Sequence, residues 1–165
     1  MRILGIDPGL EKCGYACLET SGNRENLIEA GVFNTDSSCP IEIRLNRIAE
    51  DMASLLNKFN PDLVSVEQLY SHYAHPKTAI LMGHARGVIL QKCAGAGIEV
   101  RSFSATRIKK SLTGNGRASK QQVQRAVQRI LSLAKIPEPN DVADAIAVAI
   151  CCSNSLRSLA SIAGK

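Results

Sequence analysis

The stretch Arg2-Ile3-Leu4-Gly5-Ile6-Asp7-Pro8-Gly9 decides how the rest of the chain is read. Its apolar, β-branched run predicts a buried strand. The run ends on a carboxylate, and Pro8-Gly9 turns the chain at once. Asp7 therefore stands at the last position of a central strand, where an unpartnered charge is costly to desolvate. Asp before Pro-Gly is also ordinary turn chemistry, so one such residue settles nothing. Three further carboxylates at matching places carry the argument.

Working outward, Cys13-Gly14-Tyr15-Ala16-Cys17-Leu18 predicts a second strand with Tyr15 and both cysteines on one face. Ser21-Gly22-Asn23 supplies a turn, and residues 27–33 a third strand, which makes a meander. After a loop over 35–40, Pro40 suits a helix start; Ile41, Leu45, Ile48, Met52, Leu55, Leu56 and Phe59 recur at helical spacing up to Asn60-Pro61. Leu63-Val64-Ser65-Val66-Glu67 is the fourth strand. A right-handed crossover lays it parallel beside the first. Asp7 and Glu67 then share the carboxyl edge of the sheet, where open α/β sheets place ligands.

The polar segment 68–75 carries Tyr70, His72, Tyr73 and His75. A long helix over 76–94 follows, small in its middle at Gly83, Ala85 and Gly87, and Gly95-Ala96-Gly97 ends it. Residues 98–103 read as a fifth strand and 105–112 as a short helix, with Thr113-Gly114-Asn115-Gly116 as a flexible loop. Ser119 can cap a helix whose inward stripe is Val123, Val127, Ile130, Leu131 and Ala134. Asn140 is a natural N-cap for a last helix, and Asp141 and Asp144 share one face of it. Acids in a first turn are favoured by the helix dipole alone. Asp144, however, is followed by alanines and branched aliphatics suited to close packing, and an acid pressed against a sheet needs a counter-charge or a metal. The tail from about 153 is expected to fray.

The expected class is α/β: a five-stranded mixed sheet, an antiparallel meander followed by parallel strands, with helices on both faces. At 165 residues with no internal repeat, the chain reads as one domain, 1–165. The apolar start is too short for a signal peptide, and the apolar run 143–152 is too short to span a membrane, which predicts a cytoplasmic protein with no membrane partner. Six cysteines without a Cys-x-x-Cys pair argue for reduced thiols and against zinc. His72-x-x-His75 lacks further soft ligands. Net charge is +5, and nine basic residues with no acid fall between 101 and 135. Solvated helix faces interleave both signs, so a wholly basic stretch reads as a phosphate-binding surface.

Asp7, Glu67, Asp141 and Asp144 suggest one cluster. Gathered carboxylates repel unless a cation intervenes, and oxygen-only donors suit Mg²⁺ or Mn²⁺. Two such ions can clamp the attacking and leaving oxygens of a phosphodiester displacement.

Gly5-Ile6-Asp7-Pro8-Gly9, Val66-Glu67-Gln68 and Asp141-Val142-Ala143-Asp144-Ala145 resemble the three motifs of the RuvC family of bacterial Holliday junction resolvases. Further similarity lies in Gly83-His84-Ala85-Arg86-Gly87 and in residues 109–123. The resemblance implies a ribonuclease H-like fold, a homodimer, and Mg²⁺-dependent paired nicking of four-way DNA junctions that leaves 5′-phosphomonoesters, in recombination and repair. It makes Asp7, Glu67, Asp141 and Asp144 the catalytic and metal-binding residues, with two Mg²⁺ per subunit and Mn²⁺ as substitute. Some relatives carry His at the third position, where this chain has Asp141. Tyr70 stands where the family has an aromatic that meets the junction centre; on the residues alone, base stacking and packing onto the long helix are equally open. Lys109 and Lys120 resemble DNA-contacting lysines; Arg117 and the amides of the 114–116 loop are further candidates. A RuvA–RuvB branch-migration complex is implied as partner. A YqgF-type RNA-processing nuclease, a sugar-kinase or actin-like ATP-binding protein and a non-catalytic junction-binding module are the rival readings; the ATP-binding class needs a second domain for which this chain has no room.

Overall fold

The structure, a computed structural model, describes residues 1–22, 24–69 and 76–163. Three antiparallel strands open it: β1 (Arg2–Asp7), β2 (Lys12–Ser21) and β3 (Arg24–Asn34). Helix α1 (Ile41–Phe59) crosses to β4 (Leu63–Glu67), which pairs parallel to β1, and α2 (Pro76–Gly95) leads to β5 (Glu99–Phe103), parallel to β4. The sheet order is β3-β2-β1-β4-β5. Helices α3 (Ala105–Thr113), α4 (Lys120–Ile130) and α5 (Asn140–Ala163) complete the chain.

Alternation along the strands builds two cores. Leu4, Ile6, Cys13, Cys17, Val64 and Val66 face α1 and α2, where Ile48, Met52, Phe59 and Ile89 are buried. Ile3, Ala16, Leu18 and Leu63 face the other way, onto α5 backed by α3 and α4. The period of two therefore puts Asp7, four residues from Ile3, and Glu67, four from Leu63, on the α5 side of the sheet. Gly97, at φ +69°, takes the left-handed turn out of α2.

Several local expectations are corrected. The second and third strands run longer than their apolar patterns, since pairing continues to Ser21↔Arg24 through residues of mixed polarity. The fourth helix stops at Ile130, because Ser132 turns left-handed at φ +51°. Ile130 is consequently 41% exposed and Ala134 is exposed, while Val123 and Val127 form the buried stripe, joined by half-buried Leu131 and Leu133. Asn140 is not an N-cap: it lies inside α5, and its Oδ1 accepts from Gln124 Nε2 at 2.7 Å. The loop at 113–116 is tied rather than loose. Thr113 Oγ1 donates to Lys109 O and accepts from Asn115 N, and Asn115 Oδ1 accepts from Arg117 N at 2.9 Å.

Helix α5 runs on to Ala163, held by Asn154 Nδ2 to Ser111 Oγ at 3.0 Å and by Arg157 on the buried carboxylate of Glu25 at 2.6 Å. Among the described residues, one helix, Asn140–Ala160, is long and apolar enough by length and composition to cross a membrane. Here that apolarity serves the core: every residue from Val142 to Ser153 except Asp144 is buried, because the sheet covers one side and α3 and α4 the other.

Candidate active site

The carboxylates come from three elements. Asp7 ends β1 and Glu67 ends the adjacent parallel strand, whose last paired rung with β1 is Ile6↔Val66. Asp141 and Asp144 lie in the first turns of α5. What lets that helix approach is the pair Gly5 and Gly14. A Cβ added to Gly14 would collide with the Asp141 carbonyl oxygen, and one added to Gly5 with the carbonyl of Ala145, besides standing 2.8 Å from Ala149 Cβ. Asp7 pairs directly with Gly14 in the ladder. The Asp141 peptide therefore rests on the strand beside Asp7.

Ser65 adds a strut. Fully buried on β4, it donates from Oγ to Val148 O of α5 at 3.1 Å, tying Glu67's strand to Asp144's helix. Neither Gly14 nor Ser65 stands out in the sequence as a residue of the site. A glycine within a strand signals close backbone approach and was available as a clue; the role of Ser65 depends on which helix lies above it.

A cleft of about 290 Å³ opens at this edge, lined by Asp7, Glu67 and Asp144, by Lys109 of α3 and Lys120 of α4, and by an apolar floor including Ile108, Val123 and Ala147. Lys120 is the first residue of α4, presented there by a capping box: Gln122 N donates to Ser119 Oγ at 3.2 Å and Ser119 N to Gln122 Oε1 at 2.8 Å. Ser104 likewise caps the helix of Lys109.

Burial, then the charges of Glu67, Asp144 and Asp141, push the Asp7 carboxyl up to about 8, against a smaller opposing pull from Lys120. Burial and Asp144 raise Glu67, with Lys109 and Lys120 opposing. Burial raises Asp144, with Lys120 opposing most and Asp141 adding to the rise. The donors are all carboxylate oxygens, which suits a hard divalent cation, and their mutual repulsion is what such a cation relieves. Asp7, Glu67 and Asp144 line the cleft while Asp141 lies outside its lining, and among the described residues the acids do not close into a ready-made three-ligand set.

A pH dependence follows. A carboxyl raised in the folded state binds its proton more tightly there than in the unfolded chain, so the stability that Asp7 contributes is fully present below the ordinary value of 3.8 and is lost as pH climbs towards about 8. Thermal unfolding in a chelator is expected to show the melting temperature declining across that window. Asp7→Asn flattens the decline and melts higher than the native chain at pH 8. Native and Asp7→Asn profiles that run parallel from pH 4 to 8 contradict the placement of Asp7.

Of the other expected site residues, Arg117 is exposed on the loop before α4, outside the cleft lining. The amides of Gly114 and Asn115 donate to Lys110 O and Thr113 Oγ1, and that of Arg117 donates to Asn115 Oδ1. Tyr70, His72 and His75 lie outside the described residues.

The mixed sheet with two carboxylates at its central carboxyl edge and two on a crossing helix defines a ribonuclease H-like fold. A family model described as "Crossover junction endodeoxyribonuclease RuvC" matches residues 3–152. A relative of that name from Rhodopirellula baltica is 50% identical over 149 residues, 90% of this chain and 84% of its own length. One from Halothermothrix orenii is 45% identical over 157 residues, covering 95% and 94%. The solved RuvC of Thermus thermophilus is 30% identical and superposes with a TM-score of 0.87 over 96% of both chains; the same protein solved with a Holliday junction substrate also gives 0.87, at 28% identity. The chain belongs to the RuvC family of crossover junction endodeoxyribonucleases.

Proposed function

We propose that this chain is an endonuclease that resolves four-way DNA junctions by paired, metal-dependent phosphodiester hydrolysis, leaving 5′-phosphomonoesters, in recombination and repair. The observation that carries the reading is one cleft lined by Asp7, Glu67 and Asp144 together with Lys109 and Lys120. Asp7, Glu67, Asp141 and Asp144 would hold Mg²⁺, two ions per subunit, or Mn²⁺ in its place. The chemistry such ions supply is activation of the attacking water and relief of charge on the departing 3′ oxygen. Lys109 and Lys120 bring positive charge to the DNA phosphates, and their ammonium groups keep three carboxylates and a polyanion compatible in one place.

Incubation of a synthetic four-way junction in Mg²⁺, beside linear duplex, RNA and ATP, tests this. Symmetric nicks confined to the junction are expected. Cleavage of RNA in preference would favour the YqgF-type reading, and binding without cleavage the non-catalytic module. ATP turnover instead would point to the ATP-binding class.

Two coordinated nicks on a two-fold junction call for two active sites and hence a symmetric dimer. Helix α2 supports this through its outer side. Of its three small residues Ala85 is buried against the protein's own core, but a Cβ on Gly87 would meet nothing within 4 Å, and Ile80, seven residues earlier, is 60% exposed. Gly87→Leu is expected to give monomers in sedimentation that no longer cut in pairs. An unaltered dimer removes this helix from the interface.

Tyr70, three residues beyond Glu67, is assigned to the junction centre. Stacking on a base contributes about 1–3 kcal/mol, so Tyr70→Ala is expected to lose roughly ten- to hundredfold in junction cleavage at unchanged melting temperature, with Tyr70→Phe retaining activity. Equal loss of stability and activity in the alanine variant would mark Tyr70 as core instead. A RuvA–RuvB branch-migration complex as partner and a cytoplasmic location belong to the same reading.

A further inference from the structure

Glu67 occupies an exposed end of the sheet's framework. It lies one residue past the last β1–β4 rung, so only β5 pairs with it, through Glu67↔Phe103 and the bond from Gln68 N to Phe103 O at 2.9 Å. Its carboxylate faces Asp7 and Asp144 across the cleft, and like charges push such an end outward. A restraint is present on the opposite face of the sheet. Arg86 of α2 donates from Nε to the Glu67 backbone carbonyl at 3.2 Å and from Nη2 to Ser102 Oγ at 2.7 Å. Ser102 is the β5 residue that pairs with Val66. One guanidinium thus bridges the carboxyl ends of two parallel strands.

Two features make this more than a packing contact. Among the described residues Arg86 makes no ion pair with a carboxylate: its half-buried charge is directed at a carbonyl and a hydroxyl. It also stands outside the cleft lining, so it holds the Glu67 peptide without competing for the carboxylate. We propose that Arg86 is a positioning residue: its fork fixes the Glu67 peptide and thereby aims the Glu67 carboxylate into the cleft. The inference rests on the nuclease reading of that cleft.

The fork separates this role from charge alone. Arg86→Lys keeps the positive charge, but an ammonium cannot present two fixed donors to acceptors on two strands. The test uses the full chain with Arg86→Lys, Arg86→Ala and Ser102→Ala. It measures junction affinity against salt, single-turnover cleavage in Mg²⁺, and the rise in melting temperature caused by Mn²⁺ without DNA. Misplacing a reacting group by about 1 Å costs roughly 10²-fold. Both Arg86 variants are therefore expected to lose cleavage on that scale and to show a smaller Mn²⁺ shift, with junction affinity within about twofold and an unchanged salt slope. Ser102→Ala releases one arm of the fork and is expected to fall in between.

Arg86→Lys with native cleavage and a native Mn²⁺ shift overturns the proposal, since charge would suffice. Weaker junction binding with the salt slope reduced by about one makes Arg86 a phosphate ligand instead. Cleavage that returns fully on cooling, in step with a lowered melting temperature, makes it a general stabiliser. If the native chain cuts no junction but is stabilised by Mn²⁺, the nuclease reading fails and Arg86 is judged on the Mn²⁺ shift alone. A native chain with neither response ends both.

Discussion

Asp7→Asn is expected to lower junction cleavage by about 10³-fold or more, equivalent to about 4 kcal/mol of barrier, while junction binding stays intact or tightens. Asp7 is the carboxylate on which the others converge electrically: burial raises it most, and Glu67, Asp144 and Asp141 all raise it further. An amide keeps the shape but removes the anionic ligand that a divalent cation requires. It also removes one negative charge from a cleft that must receive a phosphate, so affinity for DNA has no reason to fall. The same change relieves desolvation of a charge in the metal-free protein, so the variant is both inactive and, above neutrality, more stable. Cleavage rate and junction affinity measured on one preparation check both halves. Normal turnover in Mg²⁺ would remove Asp7 from the site.

Gly14→Ala is expected to lower both stability and cleavage. The new methyl would collide with the backbone carbonyl of Asp141 and stand 3.2 Å from Ala145 Cβ. Neither is the flexible end of a side chain, so helix α5 has to move. Overpacking of this kind costs about 1–3 kcal/mol of stability, and a shift approaching 1 Å of α5 carries Asp141 and Asp144 with it, for a further loss of about 10²-fold in cleavage. Melting temperature and single-turnover cleavage, measured well below the transition, separate the two effects. Full activity with a lowered melting temperature would show that α5 adjusts without disturbing its acids.

The strand ends that carry Asp7 and Glu67 were legible because alternation along short apolar runs is local. Each run stops at its acid, and Pro8-Gly9 marks the end of the first. The register of α1 was legible for the same reason: Ile48, Met52, Leu55, Leu56 and Phe59 recur on one face and are all buried. Helix α4 was overextended because Leu131 and Ala134 continue the periodic stripe, and nothing at Ser132 itself announces a left-handed turn. Asn140 misled for a similar reason. Asn suits an N-cap, but its side-chain oxygen was taken by Gln124, sixteen residues earlier and brought near only by packing of α4.

The sequence by itself determined that two carboxylates close parallel strands, that two more lie one helical turn apart, and that a wholly basic stretch lies between the fifth strand and the last helix. Each of those is a statement about neighbours in the chain, governed by periods of 2 and 3.6 residues. Only the tertiary structure decided that Asp7, Glu67 and Asp144 share one cleft with Lys109 and Lys120 and not with the other basic residues of that stretch. It also decided that Gly14 and Ser65 set the distance of α5 from the sheet, and that Arg86 grips Glu67 from behind. Those contacts join residues as much as 127 positions apart, as Gly14 and Asp141 are. They depend on how closely whole elements pack, which no local period encodes.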